Sequence, residues 1–538
     1  KQSQKNISMI TLENFKLDLK KIDSFESIIN LKVLIDNLVN QKIFLKQLSL
    51  ISNLLDIDLD ILQLKAKRIL VSKFNYKKNR FNKISKIHDI LKEFIIFLYL
   101  FLRLVFAFKK KREIKNIELI LCNIQSIDEI EKFKNILNKF ESSLIVSEKK
   151  SFNFERLNKD LKPRTDINIR SRTDIQDEYL VENLSITFHN NKLDLNFKDK
   201  NEKISINTDI VTRRDAHFQK ECIKDKFKLF KIGFIVMYYS LRERFNFLYF
   251  FNRILFSYAS NFSIFTNYKA KYLLQDRIYT TCPIRNYLFK KMGGKITSCV
   301  QSHITEGSIN LFNDTDLLFS FGDEEGSIKN LTEMGSRISK SIPVGSLRHE
   351  EYCLNACDNF SSKEKIDILV FGVNINDWYY SNELIQKSYY DFIKLIGLIS
   401  IKYKNLNIRM KHHPNNFDDS IEREILKNSN VKYVEKITNS YRYLKTSKLF
   451  FSFSSSMVCE AFAQGKVGYF INTIENNLFF KNNNNFKKII LRDFNQIEEI
   501  IQKDIIGKKE MINNFSDICL KSGKVSESIF QNLKTQKL

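Results

Sequence analysis

Glycine, proline and tryptophan are scarce in this chain of 538 residues, at 14, 4 and 1. That scarcity excludes collagen-like repeats and Gly/Pro-rich linkers. Eight cysteines spread over such a length exclude a disulfide framework. Cys353 and Cys357 are the only close pair, and a C-x3-C without a second pair is a poor zinc site. Reduced, buried thiols are therefore expected. The chain also lacks the G-x-x-x-x-G-K-[ST] phosphate loop, the G-x-G-x-x-G fingerprint, H-E-x-x-H and the G-x-S-x-G elbow. The opening Lys1–Lys5 has no apolar core of the secretory kind, so a cytoplasmic chain is expected.

What is abundant sets the class. Hydrophobic residues make up 43% of the chain, ample for buried cores, and the length implies two to four domains. Lys+Arg 87 against Asp+Glu 62 leaves +25, which suits polyanionic partners: nucleic acid, anionic lipid or phosphorylated substrates. The charges are spread along the chain and mixed with acids, whereas a nucleic-acid module would cluster them. Part of the excess also follows from a Lys- and Asn-rich composition of the kind an AT-rich genome imposes.

Two stretches combine aromatic and basic residues. Phe94–Phe108 is almost wholly apolar around Arg103 and runs into Lys109–Arg112. It is shorter than the roughly 20 residues of a spanning helix. An in-plane position against anionic headgroups and a place in a buried core both fit it. The same alternatives hold for Phe227–Tyr258, where Phe and Tyr interleave with Lys231, Arg242, Arg244 and Arg253.

Glycine placement divides the chain, since none occurs before Gly233 and twelve of the fourteen lie between Gly233 and Gly468. Tight turns that bring backbone close to a ligand need glycine, so the chemistry is expected in that span. Residues 1–115 have the spacing of charged helices. From Ile117 the pattern turns to alternating strands and helices, interrupted by a polar stretch at 150–215 that suits an insertion. Further strands are expected at Phe262–Asn267 and Lys295–Gln301, with a helix over Lys269–Met292 between them. A second strand–helix series begins at Ile366–Phe371, which ends in Gly372. Continuous apolar strands alternating with helices indicate parallel sheets covered on both faces. The expected fold is α/β, two Rossmann-like doubly wound domains facing a cleft. The expected divisions are a helical leader over 1–115, an acceptor domain over 116–357, a nucleotide-donor domain over 358–500 and a helical tail over 501–538.

Three segments carry candidate chemistry. In Leu449–Asn472 a buried strand ends in Ser454-Ser455-Ser456 and a helix starts at once. Hydroxyls and free amides at a helix start suit an anion, with Ser456 as the expected N-cap. Glu460 lies one turn further and could accept hydrogen bonds from ribose or sugar hydroxyls. In Arg409–Asn416, Lys411, His412 and His413 follow a strand, and Pro414 holds His413 extended. Alternation turns Lys411 and His413 to one face and His412 to the other, so one imidazole is expected to meet a phosphate oxygen. Adjacent histidines diverge in a strand, and no third ligand stands nearby, so no metal is expected. In Gly293–Ser308, His303 and Glu306 would sit with Gln301 past a strand's carboxyl end, where either can serve as general base for an acceptor hydroxyl.

The order of motifs then resembles a known family. A Q-S-H loop after G-G-K comes first, then D-L-L-F-S-F-G and P-V-G-S. I-L-V-F-G, K-H-H-P and S-S-S-x-x-x-E-A-x-A-x-G-K follow. Over Ile117–Asn472 this is similar to the bacterial surface-carbohydrate transferases of the GT-B fold, a group that includes capsule Kdo transferases, polysialyltransferases and CDP-glycerol glycerophosphotransferases. The resemblance implies that His413, Ser455 and Ser456 hold the donor's phosphates, that Glu460 meets its sugar or ribose, and that His303 is the base. It further implies a nucleotide-sugar donor, CMP- or CDP-linked, with no separate cofactor. The acceptor would be a glycan or lipid-linked precursor, and the place of work the inner face of the cytoplasmic membrane. A polyol-phosphate transferase using a CDP-alcohol shares the same phosphate grip. A sugar-nucleotide 2-epimerase shares the fold, and a basic nucleic-acid-binding or membrane scaffold protein stands as the reading from another class.

Overall fold

Apolar runs of strand length alternate with amphipathic segments, and in the computed structural model they sort into two sheets. The structure describes residues 25–76, 83–107, 114–124, 127–147, 184–189, 192–197, 202–212, 218–243, 245–301, 311–322, 325–350, 365–373, 383–412, 419–434, 440–473, 488–506, 519 and 523–536. The first sheet is built from β1 (Lys115–Ile124), β2 (Ser143–Ser147), β3 (Leu184–His189), β4 (Lys192–Phe197) and β5 (Glu202–Thr212). It continues with β6 (Tyr268–Gln275), β7 (Ile296–Val300), β8 (Asp314–Ser320) and β9 (Arg337–Pro343). Its order is β3-β4-β5-β2-β1-β6-β7-β8-β9. Every pair from β5 across to β9 is parallel, while β3–β4–β5 is an antiparallel meander at one edge.

The second sheet comprises β10 (Ile366–Phe371), β11 (Ile408–Lys411), β12 (Lys432–Tyr433), β13 (Ser447–Ser452), β14 (Val467–Ile471) and β15 (Ile490–Leu491). It is parallel throughout, in the order β12-β11-β10-β13-β14-β15. Counting only parallel strands in chain order, each sheet reads 3-2-1-4-5-6, with a seventh strand added to the first. That is the Rossmann order, with its crevice where the order reverses, between strands 1 and 4. The central strands are buried on both faces, as such sheets require: within β10 only Asp367 is not fully buried.

Two sequence expectations change here. The stretch 150–215 is not wholly an insertion, because β5 pairs in parallel with β2 and is the third strand of the sheet. Its polar alternation hid that role. Phe262–Asn267 is not a strand and Lys269–Met292 is not one helix. The chain is helical over Phe247–Asn267, forms β6 directly, and returns to helix at Pro283–Lys291. The first of these helices buries fifteen of its 21 residues. A helix apolar on nearly every side has no polar stripe to report its period, and a short apolar piece of it reads as a strand.

The leading helices are α1 (Phe25–Val39), α2 (Lys42–Leu55), α3 (Leu59–Tyr76) and α4 (Lys83–Val105). Between β1 and β2 lies α5 (Ile127–Leu137), and ahead of β6 come α6 (Lys226–Arg242) and α7 (Phe247–Asn267). Helices α2, α3 and α4 all pack on α7, so the leader is an added layer of the first domain. Gly233 on α6 lets α4 come close, because a Cβ there would lie 2.1 Å from the fully buried Phe97 ring. Gly233→Val should therefore lower stability by about 1–3 kcal/mol, as overpacking does. Chemical denaturation measures this, and a neutral result would mean that the contact between α4 and α6 yields easily. At the other terminus, Val525–Thr535 crosses back to the first domain, burying Val525, Ile529 and Leu533 in the cluster that holds Phe140. Glu350 accepts both the amide and the hydroxyl of Ser526, at 2.9 and 2.6 Å.

The six described cysteines are buried thiols, and burial pushes the Cys222 and Cys299 thiols up to about 12. Cys353 and Cys357 lie outside the described residues.

Candidate active site between the two sheets

The crevice of the second sheet lies where β10 and β13 end side by side. Phe371 is in register with Lys411 of β11 on one flank and with Ser452 of β13 on the other. Those two partners are thus about 10 Å apart, two strand spacings, with Phe371-Gly372 between them. Ser452 ties this edge together. Its hydroxyl donates to the Phe371 carbonyl at 3.1 Å and accepts the amides of Ser454 and Ser455 at 3.3 and 2.9 Å. The half-buried hydroxyls of Ser454, Ser455 and Ser456 follow at the crevice mouth.

Capping differs from the expectation. Ser456 already has helical angles, φ −59° and ψ −17°, and its side chain makes no cap bond. The Ser455 hydroxyl instead accepts the Met457 amide at 3.3 Å. The helix that follows, Met457–Ala463, has only seven residues, so the hydroxyls rather than a long macrodipole supply the attraction for an anion.

Lys411, the last residue of β11, is 1% exposed, and burial pushes its ammonium pKa down to about 8. It remains mostly charged at neutral pH. His412 takes another direction, as strand alternation requires. Its Nε2 lies 2.8 Å from Glu422 Oε1, and its ring stacks on Tyr433 with centroids 5.3 Å apart. Glu422 also accepts the hydroxyls of Tyr389 and Tyr433, at 2.6 and 3.0 Å. His412 is thus engaged in a polar cluster that braces the strand end, and Lys411 is left as the described cation of the grip. Gly372 makes room for this imidazole, since a Cβ there would fall 2.6 Å from His412 Nδ1. His413 lies outside the described residues, as do His303 and Glu306.

Glu460 meets the first domain. Gly345, at φ 93°, turns the chain just past β9 and delivers Ser346. The Ser346 hydroxyl donates to Glu460 Oε1 at 2.9 Å and caps a one-turn helix by accepting the His349 amide. Ser346 stands just past the carboxyl end of β9, and Glu460 sits in the first turn of the helix that follows β13, so the carboxyl-end sides of the two sheets meet at this contact. Burial raises the Glu460 pKa. The Tyr441 and Ser346 hydroxyls and the charges of Arg348 and Lys132 act against that rise without cancelling it. Sequence reasoning singled out Glu460 but not its partner, although Ser346 is the serine of the P-V-G-S motif.

The crevice of the first sheet, between β1 and β6, is filled by a charge network. Lys132 of α5 and Arg277 hold Asp276 at 2.5 and 2.7 Å, and Arg277 extends to Glu129 and Tyr279 at 2.6 and 2.7 Å. Burial opposes the Asp276 charge, but Lys132 and Arg277 outweigh it and bring its pKa down to about 2. Such a carboxylate is a poor proton acceptor at neutral pH, so the network serves as structure. Gln301, directly after β7, accepts the Phe321 amide at 2.8 Å and so ties the end of β7 to the end of β8.

No protein-family model matches the chain, and no curated protein matches it. Among solved structures it is similar to the UDP-GlcNAc 2-epimerase of Neisseria meningitidis bound to UDP-GlcNAc. That match has 12% identity and a TM-score of 0.43, covering 78% of this chain and 100% of the other. It is also similar to the wall teichoic acid polymerase TagF, at 11% identity and a TM-score of 0.40, covering 85% of this chain and 98% of that one. The strand order defines the fold without them: two Rossmann-type sheets with opposed carboxyl edges make this an α/β protein of the GT-B architecture.

Proposed function

We propose that the chain is a metal-independent, nucleotide-sugar-dependent glycosyltransferase that extends a bacterial surface polysaccharide of the capsule or lipopolysaccharide type. In this reading it works peripherally on the inner face of the cytoplasmic membrane. The observation that supports it best is the carboxyl edge of the second sheet. There Lys411, the small Gly372 and the serine hydroxyls flank one reversal point of a 3-2-1-4-5-6 sheet.

A CMP- or CDP-linked donor would lie with its phosphates between Lys411 and Ser454–Ser456, and His413, two positions after Lys411 in the sequence, would add an imidazole. Bond cleavage leaves charge on the departing nucleotide, and donors already in place for that charge lower the barrier. Glu460 would accept from a sugar or ribose hydroxyl. His303 or Glu306, which follow Gln301 in the sequence, would take the proton of the acceptor hydroxyl.

A thermal-shift panel of CMP, CDP, UDP and GDP tests this on the full chain. A ligand at about 100 times its Kd adds about 2.7 kcal/mol of stability, so one pyrimidine nucleotide should raise Tm clearly. No shift with any of the four, together with tight oligonucleotide binding, would reject the reading in favour of a nucleic-acid-binding protein.

A further inference from the structure

Helix α4 is about 34 Å long at 1.5 Å per residue, and it has two apolar faces where one suffices for packing. Ile90, Phe97, Leu100 and Leu104 are buried. On the opposite face Ile87, Leu91, Ile95, Tyr99 and Leu102, with Phe106 directly past the helix end, stand 49–70% exposed, at the helical spacing of a continuous stripe. Helix α6 lies alongside, with Phe94 against Phe234 and Phe101 against Phe230 at 5.2 and 5.0 Å between ring centroids. It exposes Phe227, Phe234, Tyr238 and Leu241, the first at 79%. Phe234 is half exposed while touching Phe94, so the two stripes join into one patch. A soluble surface rarely leaves so many large apolar groups together without a partner.

The rim of the patch is basic. Lys92, Lys228, Lys231 and Arg242 are exposed along the same two helices. Arg103 stacks over the Phe218 ring at 4.4 Å beside the stripe, and the sequence after α4 continues with Lys109–Arg112. No described helix is long and apolar enough to cross a membrane. An apolar stripe with cations at its borders, on a helix that does not span, suits the headgroup boundary of an anionic bilayer. A second copy of the chain would bring a like-charged rim against this one, which charge repulsion disfavours.

We propose that the joined faces of α4 and α6 dock on an anionic lipid bilayer, with both helices in the membrane plane. The proposal rests on the membrane location proposed above but not on the transfer chemistry. The test is flotation of the full chain with vesicles of pure phosphatidylglycerol and of pure phosphatidylcholine, for wild type and for Ile95→Glu/Phe106→Glu/Tyr238→Glu. Expected are binding to phosphatidylglycerol over phosphatidylcholine, weakening with salt, and at least about a tenfold loss in the variant. All three altered side chains are exposed, so the variant's melting curve and nucleotide-induced shift should match wild type. Those two readouts separate this proposal from the transferase reading. Equal vesicle binding by the variant would overturn it. So would an apolar self-association, seen by sedimentation and abolished by the same substitutions.

Discussion

Ser455→Ala and Lys411→Met should each weaken binding of the stabilising nucleotide about 10- to 100-fold, since a hydrogen bond to a charged group contributes about 1.5–3 kcal/mol. His413→Ala is expected to act in the same direction. The stability effect separates a binding role from a structural one. Lys411 has its pKa lowered by burial from 10.5 to about 8. The folded state thus penalises its charge below about pH 8, and the penalty is relieved as pH rises from there toward the unfolded value. Removing the ammonium while keeping the stem should therefore raise stability at neutral pH, by up to about 3 kcal/mol. That gain should shrink above pH 8. A variant more stable yet unable to bind is the pattern of a group held at a cost for its ligand. Wild-type nucleotide affinity in Lys411→Met and Ser455→Ala would reject the assigned grip. Calorimetric titration reads the affinity, and denaturation at several pH values reads the stability.

Lys132→Met should cost stability through the charge network of the first sheet. The change leaves Asp276, whose side chain is 1% exposed, with Arg277 as its remaining ion-pair partner. Breaking a buried pair from one side typically costs about 3–5 kcal/mol, and the retained Arg277 places this case at the lower end. The acid side gives an independent check. Because the Asp276 pKa is lowered to about 2, its contribution is present above the unfolded value near 3.9 and fades as pH falls through 2. Asp276→Asn should lack that part of the acid-induced loss, and Lys132→Met/Asp276→Asn should recover stability relative to Lys132→Met. Unchanged urea midpoints for Lys132→Met would show that the network carries no weight.

Regular period made most of the second domain legible. Ile366–Phe371, Leu449–Phe453 and Val467–Ile471 are mostly apolar, broken only by Asp367, Ser452 and Gly468, because parallel strands are covered on both faces, and each lies within two residues of an observed strand. The divergence of Lys411 from His412 also followed from alternation alone. Period failed where its physical cause was missing. Helix α7 is buried nearly all round, and the polar look of 150–215 concealed a strand of the parallel sheet. Neither residue pattern contains the long-range pairing that decides it.

The sequence by itself determined the two α/β series, the glycine-bearing span that overlaps both and the Lys and Ser positions at strand ends, because each is set by residues near in the chain. Only tertiary structure decided that Glu460 meets Ser346, 114 positions away, and that His412 belongs to Glu422. It also decided that α4 is core on one face and bare on the other. Those outcomes depend on which surfaces meet after the sheets have formed, and local propensity holds no record of a partner brought in from far along the chain.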